Sequence, residues 1–351
     1  MKIDDLLYKD SEWLKGSGPK SAIVISSRVR LARNFEQFPF FNWAKSQDKE
    51  KVLDTARSAI KNSKFMKDFY YARMKDLAEI DRQFLVERHL MSPEHVVDVE
   101  YKALAMDEKE IVSVMVNEED HIRIQVLQSG FNVLEAWRIA DETDSDIGNA
   151  ASYAFSAKWG HLTACPTNTG TGLRASVMLH LPALVMTNQI GRVFQAISKL
   201  GLTMRGFYGE GTEAIGNFFQ VSNQVTLGLS ESDLLNKIGS IVDKLVKREE
   251  STRNILMVKN KDEITDRIYR AQGTLKSARI ISSNETIKLL SAIRLGVDLG
   301  MLEGIDRVLV NELSIMTQPA HLQKIEGKVL NAEQRDYKRA DLIRKKFKGA
   351  K

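Results

Sequence analysis

The run Cys165-Pro166-Thr167-Asn168-Thr169-Gly170-Thr171-Gly172-Leu173-Arg174 joins the chain's single cysteine to a loop of hydroxyl, amide and glycine residues that ends on an arginine. Glycine lets the backbone approach a charged group, Thr and Asn supply neutral donors, and a guanidinium offers a fork of N–H donors suited to phosphate. The chemistry of such a loop is anion handling. A lone cysteine with two glycines would by itself read as an ordinary turn after a buried thiol. Further segments carry groups of the same kind: Ser26-Ser27-Arg28-Val29-Arg30, Asn117-Glu118-Glu119-Asp120-His121-Ile122-Arg123, and Arg205-Gly206-Phe207-Tyr208-Gly209-Glu210. Five arginines from separate segments, Arg28, Arg30, Arg123, Arg174 and Arg205, converge only if something strongly anionic sits among them, and a nucleotide triphosphate qualifies. Phosphoryl transfer depends on positioning and on neutralising the charge spread over the transferred group, so an arginine cage with magnesium is the expected apparatus. Taken singly, each arginine reads as a surface residue or an ion-pair partner.

The elements that must hold these groups are legible as periodicities. Over 21–33 the alternation puts Arg28 and Arg30 on one face of a strand and Val29 and Leu31 on the other. Residues 110–128 read as a hairpin, with strands at 111–116 and 122–127 and the turn at 117–120. Arg174, Ser176 and Met178 alternate with Ala175, Val177 and Leu179, and Phe219, Val221, Asn223 and Val225 mark another strand. Helical patterns at 46–62 and 187–201 lie between these runs. The expectation is an α+β domain with a mostly antiparallel sheet flanked by helices. After about residue 230 the period becomes helical: Leu234, Leu235, Ile238, Ile241, Val242 and Leu245 follow Ser230 as N-cap, and Ile287 to Val297 mark a further helix. Asn331 with Gln334 starts a last one at about 332–347. The predicted organisation is a lead segment over 1–21, a catalytic domain over 22–254 and an all-α C-terminal domain over 255–351.

Composition narrows the field. A chain of 351 residues can bury a large core. A single cysteine excludes an internal disulfide and suits a reducing compartment. The acidic start, with Asp4, Asp5 and Asp10, is unlike a secretory signal, and no apolar run approaches the roughly 18 residues that span a bilayer. A cytoplasmic protein away from membranes is expected. The net charge of +5 is local: residues 332–351 hold eight basic and three acidic side chains, which leaves the remainder balanced at 43 of each. A role in nucleic-acid binding therefore has no support beyond a basic tail, for which a solvated helix face is the default.

These motifs, in this order, resemble the active-site segments of the phosphagen (ATP:guanido) kinases. The resemblance implies ATP and Mg2+ as cofactors, with Ser26, Ser27, Arg28, Val29, Arg30, His89, Arg123, Arg174, Ala175, Ser176, Val177, Met178, Arg205, Gly206, Phe207, Tyr208, Gly209 and Glu210 at the nucleotide and His89 near its base. It implies Glu119 as the base that removes a proton from a guanidinium, a group with pKa above about 12 and a poor nucleophile until deprotonated. It further implies Glu210 as the group orienting that guanidinium, Cys165 as a thiolate against it, and Glu118 as a magnesium ligand through water.

Two departures point to one branch of the family. The small-molecule kinases carry a helical domain ahead of the first arginine strand, whereas 25 residues precede Ser26 here, so the guanidinium pocket should be open enough for an arginine side chain on a protein. The helical region at the C-terminus is the other departure. Both match the bacterial protein arginine kinases, as does the run from Arg205 to Asn217. Arg335-Asp336-Tyr337-Lys338-Arg339-Ala340 looks like that branch's phosphoarginine-binding motif, with Arg335 and Arg339 holding phosphate and Asp336 the guanidinium, as an allosteric pocket. On spacing alone the same residues read as a surface face with an Asp336–Arg339 pair. The resemblance implies phosphorylated proteins marked for a Clp protease in a stress response, with a zinc-binding activator, a heat-shock repressor and the Clp unfoldase as partners, and dimers are common among these relatives. The alternatives are a phosphagen kinase for free arginine or another small guanidine, and a non-catalytic phosphoarginine-binding module.

Overall fold

The computed structural model describes residues 3–9, 11–206 and 214–349. In chain order its elements are β1 (Val24–Arg33), α1 (Ser46–Ile60), β2 (Tyr70–Arg73), α2 (Glu79–Glu87), β3 (Ala103–Met106), β4 (Val112–Val116), β5 (Ile122–Ser129), α3 (Val133–Ala150), the small hairpin β6 (Phe155–Ser156) and β7 (Gly160–His161), β8 (Leu173–His180), α4 (Pro182–Met186), α5 (Ile190–Lys199), β9 (Leu202–Gly206) and β10 (Phe218–Asn223). The helices α6 (Glu231–Lys259), α7 (Lys261–Ser277), α8 (Ser283–Asp298), α9 (Arg307–Met316), α10 (Pro319–Glu326) and α11 (Ala332–Gly349) complete it.

Eight strands form one antiparallel sheet in the order β2-β3-β4-β5-β1-β8-β10-β9. Alternation decides its two faces. Val29 and Leu31 of β1, Ile124 and Val126 of β5, and Ala175 and Val177 of β8 are fully buried on one face, in the main core with Val52, Ala56 and Ile60 of α1 and Ala136, Ala140 and Ile147 of α3. Each such aliphatic side chain contributes roughly 1.5–3 kcal/mol through burial. The residues between them, Arg28, Arg30, Arg123 and Arg174, point to the other face, which those helices leave open.

The α+β expectation and the antiparallel sheet hold, and so does the helical C-terminal region. Ser230 caps α6 through a capping box with Asp233. Asn331 accepts from the Gln334 amide while Gln334 Oε1 accepts from the Asn331 amide, which opens α11. The helix expected over 187–201 is the shorter α5, Ile190–Lys199, which starts only after Asn188, whose φ of 54° is incompatible with helix. Val225 lies beyond the end of β10 and is exposed. Residue 254 falls inside α6, which runs unbroken from the main core to Leu256 in the apolar core of the helical region.

The helical region also reaches back to the sheet. Ile287 of α8 and Ile315 of α9 pack with Trp13 and Leu14 of the lead segment against Ile25, Leu127, Met178 and Phe218. These sheet residues stand at the end of β1, β5, β8 and β10 remote from Arg30, Arg123 and Arg174, so the open face is walled at one end.

Candidate active site

Register brings the arginines together. Across antiparallel strands, directly paired residues share a face. Arg30 pairs with Arg174, Arg28 with Ser176, and Ala32, on the same side as Arg30, with Arg123. Ser176 pairs in turn with Ser222, Met178 with Gln220, and Gln220 with Arg205. Arg123 on β5, Arg28 and Arg30 on β1, Arg174 on β8 and Arg205 on β9 therefore share one side, and all five line a single cavity of about 1080 Å³.

Their surroundings are short of acid. Arg28 donates to Gln220 Oε1 at 2.9 Å and to Ser176 Oγ at 3.4 Å, and Arg174 donates to Ser222 Oγ at 3.4 Å. The Nε atoms of Arg30 and Arg174 are buried without a partner among the described residues. Burial, then Arg174, Arg205 and Arg123, pushes the Arg28 guanidinium down to about 10. Burial followed by Arg28, Arg123 and Arg174 holds Arg30 well below its ordinary value, and burial with Arg205 and Arg123 lowers Arg174. The shared sign reports mutual repulsion in a poorly solvated space, which a bound polyanion would relieve.

Among the described residues, the carboxylates that bond these arginines stand at one end. The β4–β5 turn presents Glu118 and Glu119, both on the cavity wall. Arg123 donates to Glu118 Oε1 at 2.6 Å and to Glu119 Oε2 at 3.2 Å, and Ser92 Oγ also bonds Glu118. Glu119 is the more open of the two, at 40% exposure against 2% for Glu118. Asn168 Nδ2 reaches Glu119 Oε2 at 3.4 Å, so the turn meets the Cys165 loop. Cys165 and Thr167 line the same end, with Cys165 Sγ 3.0 Å from Thr167 Oγ1.

Local sequence fixes that loop. Gly170, at φ 109°, lies so near the Thr226 carbonyl that a Cβ would come within 2.5 Å of it, and a Cβ on Gly172 would lie 2.5 Å from the Arg33 guanidinium. Thr226 Oγ1 ties the Thr167 and Thr169 carbonyls at 2.8 and 2.7 Å. Asp120, the last residue of the turn at 117–120, is fully buried: its Oδ1 accepts from Asn34 Nδ2 and from the Ala164 amide, each at 2.6 Å. It pins the Glu119 turn to the Cys165 loop.

The expected nucleotide segments divide by face. Val29, Ala175 and Val177 lie in the main core across the sheet, because alternation sends every second residue of a matched strand away from the cavity. Ser27 is buried and donates to the Gly130 carbonyl at 2.8 Å, and Ser26, though on the arginine side, does not line the cavity. Met178 is packed in the apolar cluster with Trp13 and Ile315. His89 lines the cavity, stacks on Trp13 with centroids 4.9 Å apart, and is driven to about 3 by burial and by Arg28, so it is neutral. Gly206 ends β9, and Phe207, Tyr208, Gly209 and Glu210 lie outside the described residues.

The last helix does not present two open arginines. Arg339 is 1% exposed; it donates from Nε to the Thr317 carbonyl at 2.8 Å, from a terminal nitrogen to the Ile281 carbonyl at 2.9 Å, and pairs with Asp336. Arg335 is half-buried and donates to the Leu330 carbonyl at 2.8 Å, while Tyr337 is exposed, Lys338 pairs with Glu326 at 2.7 Å and Ala340 is buried.

Sequence reading missed several cavity residues, among them Gln125, Glu87, Ile315 and Gln318. Gln125 was within reach, since it sits two positions from Arg123 on the same face. The others come from α2, the end of α9 and the α9–α10 turn, where no local pattern announces a shared wall.

The sequence matches the family described as ATP:guanido phosphotransferase, C-terminal catalytic domain, over residues 51–252, and that described as protein-arginine kinase McsB C-terminal domain over 261–351. It is 46% identical over 345 residues to the protein-arginine kinase of Halothermothrix orenii, covering 98% of this chain and 99% of that one. The protein-arginine kinase of Desulforamulus reducens is 48% identical over 340 residues (96% and 95% covered), and that of Bacillus cereus strain G9842 is 44% identical over 350 (99% of each). Among solved structures, lombricine kinase shares the fold at TM-score 0.60 and 22% identity, over 74% of this chain and 79% of that one. The substrate-free duplicated taurocyamine kinase of Schistosoma mansoni matches at TM-score 0.59 and 25% identity, over 82% and 42%. The chain belongs to the ATP:guanido phosphotransferase family, and within it to the protein-arginine kinases.

Proposed function

We propose that this chain transfers the γ-phosphoryl group of ATP to arginine side chains of proteins. The observation that carries the reading is the single cavity in which five arginines from four strands face two carboxylates gathered at one end. The triphosphate lies along the arginines, whose fixed N–H groups neutralise the charge of the transferred group. At the acidic end Glu119 takes a proton from the incoming guanidinium as its nitrogen lone pair attacks the γ-phosphorus; the bond from that phosphorus to the bridging oxygen breaks and ADP leaves with the electron pair. Cys165 and, from the loop outside the described residues, Glu210 hold the guanidinium. Asn168 and Arg123 fix the Glu119 carboxylate.

Magnesium fits this donor set. No group of three or more metal-binding side chains occurs among the described residues, which suits an ion that keeps its water and leans on substrate phosphates. Glu118 would hold it through water, and the ion would supply charge neutralisation at the phosphates.

The wider role proposed is marking proteins for a Clp protease under stress, in the cytoplasm, with a zinc-binding activator, a heat-shock repressor and the Clp unfoldase as partners, and with a homodimer as the assembly. Its support is the match of residues 261–351 to the C-terminal domain of the protein-arginine kinases. The proposed division remains a lead segment over 1–21, a catalytic domain over 22–254 and a helical domain over 255–351. In the last of these Arg335 to Ala340 is read as an allosteric phosphoarginine site, which binds by opening the Asp336–Arg339 pair.

The test is incubation with ATP, magnesium and an unfolded protein. Acid-labile, base-stable phosphate on arginine is expected, and Glu119→Gln should remove it. Label on serine, or rapid ATP turnover with free arginine and none with protein, would overturn the reading.

A further inference from the structure

The cavity has two ends, set apart by the strands that floor it. On β8, Arg174 follows the Cys165 loop, whereas Met178, four residues on, packs against Ile315 of α9. At about 3.3 Å per residue this places the two ends some 13 Å apart, roughly the reach of a triphosphate. Glu119, Cys165 and Asn168 mark one end. The other is lined by His89, Val86 and Glu87 and, from the helical region, by Ile315 and Gln318. This far wall holds a flat neutral ring, apolar side chains, one amide and the Glu87 carboxylate, whose oxygens accept from backbone amides of α10; a ring beside apolar and hydrogen-bonding groups is the chemistry of a nucleobase pocket.

Gln318 is held rigidly. On one side the Thr317 carbonyl accepts from Arg339 Nε at 2.8 Å. On the other, Pro319 opens α10, and the amides of Ala320 and His321 donate to Glu87 at 2.7 and 2.9 Å. The Gln318 amide nitrogen donates to the Ser314 carbonyl at 2.9 Å, which fixes the plane of the amide. That bond uses one of its two N–H donors, and the amide oxygen accepts no hydrogen bond among the described residues, so a free acceptor remains on a side chain that lines the cavity. Adenine carries an amino donor at the position where guanine carries a carbonyl acceptor.

We propose that Gln318 reads the base of the nucleotide, so that the helical region completes the ATP site and makes it select adenine over guanine. The assignment rests on the ATP reading above. Its consequence is that α9 and α10 act in the first binding event, and that the contact from Arg339 to Thr317 ties α11 to the same wall.

The experiment compares ATP with GTP, first as equilibrium binding to the wild-type full-length chain with magnesium, then as kcat/KM on an unfolded protein substrate for wild type, Gln318→Ala and Gln318→Met. Wild type should prefer ATP by about tenfold or more. Each variant should raise KM for ATP about threefold to tenfold, the worth of one hydrogen bond, with kcat within about twofold and the ATP preference largely erased. Equal weakening of both nucleotides would reduce Gln318 to a structural part and overturn the proposal. Equal wild-type affinity for ATP and GTP would overturn it without any variant, so a variant that fails to fold does not protect it. A wild-type chain that binds neither nucleotide would instead overturn the ATP reading itself.

Discussion

Two clusters of arginine occupy this molecule, and they differ in the company they keep. In the helical region Arg253 bonds Glu249 at 2.9 Å and Asp298 at 3.4 Å, Arg307 bonds Asp298 at 2.6 Å, and Arg294 donates to Asn311 and, at 2.7 Å, to the Ser21 carbonyl. On the sheet Arg28 and Arg174 have hydroxyls and an amide for partners, the Arg30 Nε is buried with none, and among the described residues of the cluster only Arg123 bonds carboxylates. Burial depresses Arg28 and Arg294 alike, to about 10, so depth does not separate them. The neighbours do: Arg294 is supported by Asp298, whereas every charged group acting on Arg28 is another arginine. A cation group that supplies its own acid is finished structure. One that withholds it is waiting for an anion.

Breaking the sheet cluster should cost chemistry and spare the fold. Arg174→Ala is expected to lower kcat/KM for phosphoryl transfer by about 10³–10⁴, while its urea midpoint stays at or above that of wild type because a repulsion has been removed. A variant that loses stability and activity together would erase the distinction. Breaking the helical cluster should do the converse. Glu249 is fully buried and accepts from Arg253 and from the Ala183 and Leu184 amides at the start of α4. Glu249→Ala should cost about 3–5 kcal/mol in urea denaturation, because buried Arg253 loses its nearer carboxylate and the Ala183 and Leu184 amides lose their acceptor, with KM for ATP unchanged in the protein that remains folded.

The smallest effect expected is one of pH. Burial, with Arg28 beside it, drives His89 to about 3; burial, with Lys102 beside it, drives His95 to about 3. The folded chain keeps both neutral while the unfolded chain protonates them near 6.5. Their support is complete above pH 6.5 and is lost as acid is added towards their folded values, at up to about 1.4 kcal/mol per pH unit for each. Urea midpoints at pH 7.5, 6.5 and 5.5 should be level between the first two and fall at the third. A midpoint that rises on acidification would remove the account of neutral, buried rings.

Much of the sheet was open to reading because a strand betrays its faces by alternation. Arg28 and Arg30 against Val29 and Leu31 already predicted which side meets solvent, and the caps at Ser230 and Asn331 marked two helix starts. The depth of Asp120 was not legible, because an acidic turn looks the same whether it is solvated or folded onto Asn34 and Ala164. Gln318 and Glu87 were invisible for a different reason: a helix sequence shows which face is apolar but not which groove its end will fill. The Asp336–Arg339 pair falls between these cases, since its spacing was plain and its depth was not.

Helix α6 spans 29 residues, about 44 Å at 1.5 Å per residue. Its first half, from Leu234 to Val246, is embedded under the sheet, and Leu256 near its far end belongs to the helical core. A single rod thus serves as joist to two rooms, with no seam where one could be dismantled while the other stands. Heating should therefore yield one calorimetric peak, and cutting the chain at residue 254 should leave both fragments wanting a wall.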